Sequence, residues 1–320
     1  MISYLARRVL SGLVTLLLVV LLTFILVRLA PGDPVSYMAG LTAPAGYIEE
    51  LTKKLGLDKP APEQLAIYLS SLARGDLGFS FSWGRSVNDI IVSRLPATVL
   101  LMATAFILSL FLGVLAGVVA SRLPYGGVDN AVTLSSLAAF SMPQFWVGMI
   151  LLLIFGLWLR LLPIQGMRTV GTSYDLLRTI GDIAAHLALP AIALGLTEMA
   201  VFVRVTRASM LEVVESDFVR TARSKGIGDR KVLVNHALRN ALLPIITIAA
   251  IRLRNLFAGA ILVELIFAWP GIGSLTIAAM TERDYPMILG ITLWAAVVTV
   301  VINLVTDIAY SIVDPRIVQW

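Results

Sequence analysis

Residues Thr206–Pro244 read TRASMLEVVESDFVRTARSKGIGDRKVLVNHALRNALLP, a basic stretch between two apolar runs, and the fold turns on what it forms. The spacing predicts helix, turn, helix. Ser216 or Asp217 can N-cap a short helix running through Ser224, because a side-chain oxygen there satisfies first-turn N–H groups that lack an intrahelical partner. Gly226 then stops that helix, since glycine enters the left-handed region without a steric penalty. Asp229 is placed to cap a second helix that passes Val232, His236 and Asn240 and continues into the next apolar run. A rigid basic element protruding between two membrane spans is one reading. A solvated loop that merely sets topology is the other.

The runs on either side favour a membrane protein. Of 320 residues, 58% are hydrophobic and only 14% are charged, and the mean hydropathy is +0.89. A soluble domain carries about 25% charged residues. Too little polar surface is left here to cover a water-soluble globule. About 20 apolar residues cross the hydrocarbon as a helix. Six stretches qualify: Val9–Val27, Ala97–Ser121, Ala131–Leu159, Leu187–Val203, Leu242–Trp269 and Met287–Thr306. The first is longer than the usual signal-peptide core and lacks a small-residue cleavage site after it, so it reads as an uncleaved span. The expected fold is all-α, a polytopic bundle of six transmembrane helices.

Orientation follows from the basic residues. With the N-terminus inside, twelve Lys and Arg fall in short inner segments and ten in outer ones, six of these in one long segment where the rule weakens. Both termini are therefore expected in the cytoplasm. The long outer segment, Pro31 to Arg94, is polar and punctuated by Pro and Gly. Within it Ile48, Leu51 and Leu55 share one helical face, and Leu65, Tyr68, Leu69 and Leu72 another, with a turn at Asp58-Lys59-Pro60. The organisation is then a first span over residues 1–30, an extracytoplasmic segment over 31–95, a transmembrane bundle over 96–313 containing the loop 204–240, and a tail over 314–320.

Several chemistries are excluded. There are no cysteines, and the two histidines, His186 and His236, stand 50 positions apart, so no metal-ligand spacing exists and no metal or cofactor is expected. Nucleotide hydrolysis needs a G-x-x-x-x-G-K-[ST] loop, and the chain has none. No G-x-S-x-G or H-E-x-x-H is present, so a membrane enzyme is disfavoured. The net charge of +5 comes from loops between apolar runs, which the positive-inside rule explains without nucleic acid.

The basic stretch resembles the EAA loop of ATP-binding-cassette (ABC) importer permeases. Aligned on Gly226, the three letters Glu-Ala-Ala fall on Arg220, Thr221 and Ala222, so only the last is kept. The match is closer to the peptide/nickel branch, with its Arg-Thr-Ala-x-x-Lys-Gly pattern, here Arg220 to Lys225-Gly226, and a His-x-x-x-Asn segment, here His236 to Asn240. Other strings of that branch follow in order, among them Tyr4-Leu5-Ala6-Arg7-Arg8, Pro31-Gly32-Asp33-Pro34, Leu95-Pro96-Ala97-Thr98, Pro143-Gln144-Phe145-Trp146, Phe267-Ala268-Trp269-Pro270-Gly271 and Asp314-Pro315-Arg316.

The resemblance implies a type I ABC importer permease in the cytoplasmic (inner) membrane that carries dipeptides, oligopeptides or a related solute such as nickel, glutathione or an oligosaccharide. It implies a second homologous permease chain, two cytoplasmic ATPase subunits, an extracytoplasmic solute-binding protein and no ATPase site on this chain. It places the ATPase-coupling loop at Asp217, Arg220, Thr221, Ala222, Lys225, Gly226 and Asp229. A secondary transporter or channel is the alternative, but such carriers show inverted repeats and paired broken helices that this sequence lacks.

Four charges inside the apolar runs, Glu198, Arg252, Arg254 and Glu264, are candidates for the translocation path or for buried ion pairs. The two arginines depart from the branch. At 1.5 Å per residue, Glu198 lies about 18 Å deep in its span, and Arg252 and Arg254 about 14–17 Å deep in theirs. Glu198 is expected to pair with one of them while the other faces the translocation path and meets an anionic group such as a peptide carboxylate. Two structural ion pairs, the second with a partner subunit, are the other reading. Residues two apart point about 200° from each other, so Glu198 cannot serve both equally. Gly113 and Gly117 predict a close helix-packing seam inside the subunit. Trp146, Trp158 and Trp269 are expected to anchor or pack rather than bind a ligand.

Overall fold

The computed structural model of the chain describes residues 2–29, 46, 52–53, 58–80, 82–172, 174–228, 231–232 and 237–313, with the side chains of 2–5, 27–28, 223, 254–259 and 309–313 outside that description. The elements in order are α1 (Ile2–Leu29), α2 (Ala61–Ala73), β1 (Phe79–Ser80), β2 (Arg85–Ser86), α3 (Val87–Arg122), α4 (Gly127–Ser141), α5 (Gln144–Leu151), a π-helical turn (Leu152–Trp158), α6 (Leu176–Val214), α7 (Asp217–Ser224), α8 (Arg239–Ile266), α9 (Ile272–Glu282) and α10 (Tyr285–Val313). Two compact units are distinguished, one drawn from Met1–Pro96 and Gly271–Val305, the other from Ala97–Pro270 and Thr306–Trp320.

Among the described residues, four helices are long and apolar enough to cross a bilayer: α1, α3, α6 and α10. The bent pair α4 and α5 with its π turn brings the number to five where the two are counted as one span. The sixth expected span coincides with α8, whose 28 residues rise about 42 Å at 1.5 Å each. Helix is the only local structure that lets one segment satisfy its own backbone in hydrocarbon, which is why each apolar run takes it.

The stretch Ala131–Leu159, read from the sequence as one span, is broken by 104° between Ser141 and Gln144. Met142 adopts an extended conformation, ψ 133°, immediately before Pro143. The proline ring disfavours helical geometry at the preceding residue and offers no N–H to continue the ladder. Beyond the bend, Leu152–Trp158 winds as a π-helix, and a Cβ added at Gly156 would lie 2.5 Å from the Ile164 side chain.

In the first unit, Leu65, Tyr68, Leu69 and Leu72 form the half-buried face of α2, as the spacing predicts. Tyr68 stacks on Phe24 of α1 at 6.1 Å. Ile48, Leu51 and Leu55 lie outside the described residues. The all-α expectation omitted a small hairpin, β1 to β2. It is held by Ser80 donating to Asp284 and by Trp83 Nε1 donating to Glu282 at 2.9 Å.

The second unit is built on α6. Its core gathers Ala97, Leu101 and Ala105 of α3, Leu189 and Leu194 of α6, Ala260 and Val263 of α8, and Phe267 and Trp269. The two central helices touch backbone to backbone. A Cβ on Gly113 would sit 2.6 Å from Phe202 Cβ, one on Gly117 2.6 Å from Thr206 Cβ, and one on Gly195 2.9 Å from the Ala105 carbonyl. Small residues permit this approach where lipid supplies no hydrophobic drive between helices.

Candidate coupling element and intramembrane charges

The loop that decides the fold forms a short helix on an apolar base. α6 ends at Val214. The backbone carbonyl of Ser216 accepts the N–H groups of Val219 and Arg220, so Ser216 occupies the position before the first turn of α7. Its hydroxyl does not cap that turn. It donates back to the Val213 carbonyl at 2.5 Å. At the other end Gly226 has φ +76° and Ile227 N–H donates to the Ala222 carbonyl at 3.3 Å. This is the six-to-one bond of a Schellman ending, with glycine at the left-handed position. Val219, Ala222 and Val232 are buried together, with Val213 and Ile227 packed on them. That cluster fixes α7 to the end of α6.

The opposite face of α7 is open. Asp217, Arg220, Thr221, Ser224 and Lys225 are exposed, and Phe218 keeps 45% of its surface. An aromatic ring left exposed beside Arg220 and Lys225 gives this small helix an apolar knob with a basic rim. Lys231 and Val232 donate to the Gly228 carbonyl at 2.9 and 3.1 Å, starting the next helical turn. Asp229 and His236 lie outside the described residues.

Deeper in the second unit, Arg252 Nε approaches Glu198 Oε2 to 3.7 Å, with the Glu198 side chain 7% exposed and that of Arg252 27% exposed. Among the described residues that oxygen finds no hydrogen-bond partner, and neither does the buried Thr197 hydroxyl. The separation is Coulombic contact without a hydrogen bond, whereas strong ionic hydrogen bonds are about 2.7–2.9 Å long. Arg254 has its side chain outside the description. Glu264 is fully buried and accepts from Thr98 Oγ1 at 2.7 Å. Trp269, also fully buried, donates from Nε1 to the Ala97 carbonyl at 2.8 Å. It is a packed core residue, while Trp146 and Trp158 are exposed.

Sequence reasoning missed the most completely satisfied ion pair of this region. Asp129, near the start of α4, accepts from Arg207 Nε at 2.5 Å and from Nη2 at 2.6 Å. It also accepts from Tyr125 N–H at 2.7 Å and Thr133 Oγ1 at 3.3 Å. A usable signal existed: Asp129 stands two residues before one apolar run and Arg207 four after another, on adjoining ends.

Comparison with known proteins is consistent along the chain. Residues 109–319 match the family model described as binding-protein-dependent transport system inner membrane component, and residues 1–102 match its N-terminal companion. The chain is 39% identical to the oligopeptide transport system permease protein AppB of Bacillus subtilis, over 99% of both chains. It is 40% identical to the di/tripeptide transport system permease protein DppB of Pseudomonas aeruginosa, again over 99% of each. Among solved structures, the methionine ABC transporter MetNI in an inward-facing conformation aligns with TM-score 0.52 and 14% identity, covering 70% of this chain and 96% of that one. At that identity the likeness concerns the fold.

Proposed function

We propose, from the premise that this chain belongs to the family of binding-protein-dependent transport system inner membrane components, that it conducts peptides as a permease subunit of an ABC importer and that α7 is where a separate ATPase drives it. It is a non-enzymatic membrane subunit of the inner membrane. Relatives named for oligopeptide and di/tripeptide transport support peptide as the solute.

The observation that carries the coupling role is the form of α7: eight residues on a private apolar base, with Phe218, Arg220, Thr221 and Lys225 turned outward. Such a helix is stiffly attached at one side and free to dock at the other. Phe218 suits an apolar pocket on the partner, and the basic rim suits acidic groups around it. The working assembly then contains a second homologous permease, two cytoplasmic ATPase subunits and an extracytoplasmic solute-binding protein. The Lys and Arg count supports α7 and both termini on the cytoplasmic side.

In the membrane, the loosely held Arg252 is assigned to the translocation path. A guanidinium at 3.7 Å from its carboxylate has no hydrogen bond to that partner to break when it meets the carboxylate of a peptide. Glu198 then keeps Arg252 oriented while the path is empty.

A photoreactive amino acid placed at Phe218 tests the docking and the sidedness together. Illumination of cells expressing the whole importer should join this chain to an ATP-hydrolysing subunit, identified by mass spectrometry, and the same group at Ser71 of α2 should not. Cross-links at position 71 and none at 218 would invert the topology and remove the coupling role.

A further inference from the structure

The bend between α4 and α5 raises the question of how a stroke delivered at α7 reaches it. The structure provides a direct connection. Arg207 lies two helical turns before the end of α6, which leads into α7. Its guanidinium grips Asp129 in two-pronged fashion at 2.5 and 2.6 Å, and Asp129 lies in the first turn of α4. The carboxylate is 1% exposed and the Arg207 side chain 23%, so water competes weakly for either. Two further donors, Tyr125 N–H and Thr133 Oγ1, complete the carboxylate.

The surroundings are equally stiff. Tyr125 sits at φ 61° in the tight turn that joins α3 to α4, and its ring lies 5.9 Å from the Arg207 guanidinium carbon. Three residues earlier on α6, Arg204 stands 4.6 Å over the ring of Phe140, at the far end of α4. Val118, Met210, Ala237 and Ala241 are buried together and tie α3 and the start of α8 to the same stretch of α6. A bidentate pair fixes orientation as well as distance, which a single-point contact does not.

We infer that Asp129 and Arg207 are a positioning pair, a strut that makes α4 move with α6 and α7 so that the coupling stroke is delivered to the Met142–Pro143 bend. The inference rests on the coupling role of α7 proposed above. Neither residue touches solute in this account. They act by holding α4 in register with the helix that carries the docking element. A packed element with two discrete arrangements is the physical route by which distant sites become coupled.

The chain has no cysteine, so Ser141→Cys can be spin-labelled on this chain alone, before assembly with its partners, to report the bend. The assembled importer in lipid nanodiscs is compared with and without ATP and vanadate, while ATP hydrolysis is followed in parallel. In the labelled parent the spectrum should change with nucleotide. Asp129→Asn should reduce that change by about 2- to 30-fold, the range expected of residues that carry coupling without touching a ligand, while hydrolysis continues. Asp129→Cys with Arg207→Cys, joined by a short thiol-specific cross-linker, with position 141 carrying a ketone amino acid that is condensed with a hydroxylamine nitroxide, should restore it, because a strut stays closed through the cycle.

A full nucleotide response in Asp129→Asn overturns the inference, and so does a response abolished by the cross-link, which would make the pair a latch that must open. Gly226→Pro serves as the separate control. If it too leaves the response intact, the coupling role of α7 fails. If it removes the response while Asp129→Asn does not, only the strut fails.

Discussion

Two ion pairs share helix α6, nine residues apart, and they are built in opposite ways. Arg207 meets Asp129 through two short hydrogen bonds, with two more donors on the same carboxylate. Glu198 meets Arg252 at 3.7 Å, and the nearer oxygen has no hydrogen bond among the described residues. A buried carboxylate with every lone pair engaged resists separation, because parting it from its partner leaves an uncompensated charge. One with an idle oxygen already bears part of that penalty and gives up less when its partner leaves. The first pair suits force transmission. The second suits exchange with a passing charged group.

The comparison is broken most decisively at its strong end. Arg207→Ala leaves Asp129 buried without its cation, and we expect a loss toward the lower end of about 3–5 kcal/mol because Arg207 keeps some contact with solvent. Thermal unfolding of the purified importer measures it. A loss below about 1 kcal/mol would show that the pair holds little. At the weak end, a double-mutant cycle on Glu198→Gln and Arg252→Gln should give a coupling energy under about 1 kcal/mol, within the range found for polar contacts in membrane helices. Arg252→Gln alone should lower dipeptide uptake more than it lowers stability. A coupling energy as large as that of Asp129 with Arg207 would erase the distinction between the two pairs.

Much of this was legible in the residues. The apolar runs located the helices, since lipid leaves a spanning chain no other way to satisfy its backbone. α7 was readable because Gly226 supplies a conformation that other residues avoid, and the observed φ of +76° uses it. The bend at Pro143 was not readable. Pro96, Pro190 and Pro244 lie inside the continuous helices α3, α6 and α8, so a proline in an apolar run does not by itself decide between kink and break. Packing around it does, and packing is a property of the folded chain. Asp129 escaped notice for a different reason. Counting uncharged residues starts a span after its last charge, which discards the carboxylate that anchors the helix.

The capping of α7 shows the limit of local rules in one residue. Ser216 has the right identity and place for an N-cap, yet its hydroxyl turns back to Val213 and closes the end of α6 instead. Both uses satisfy a backbone group left open at a helix terminus, and sequence alone does not rank them.

The central claim is that α7 transmits ATP-driven motion, and Gly226→Pro tests it most directly. Proline cannot adopt the left-handed φ found there, and so removes the turn that seats α7 on Val219, Ala222 and Val232. Uptake of radiolabelled dialanine and ATP hydrolysis would be measured together in proteoliposomes holding the whole importer and its loaded binding protein. The account predicts that uptake falls to background while the variant inserts and assembles with its partners. Normal ATP-dependent uptake by Gly226→Pro would contradict it and leave the loop with a purely topological role.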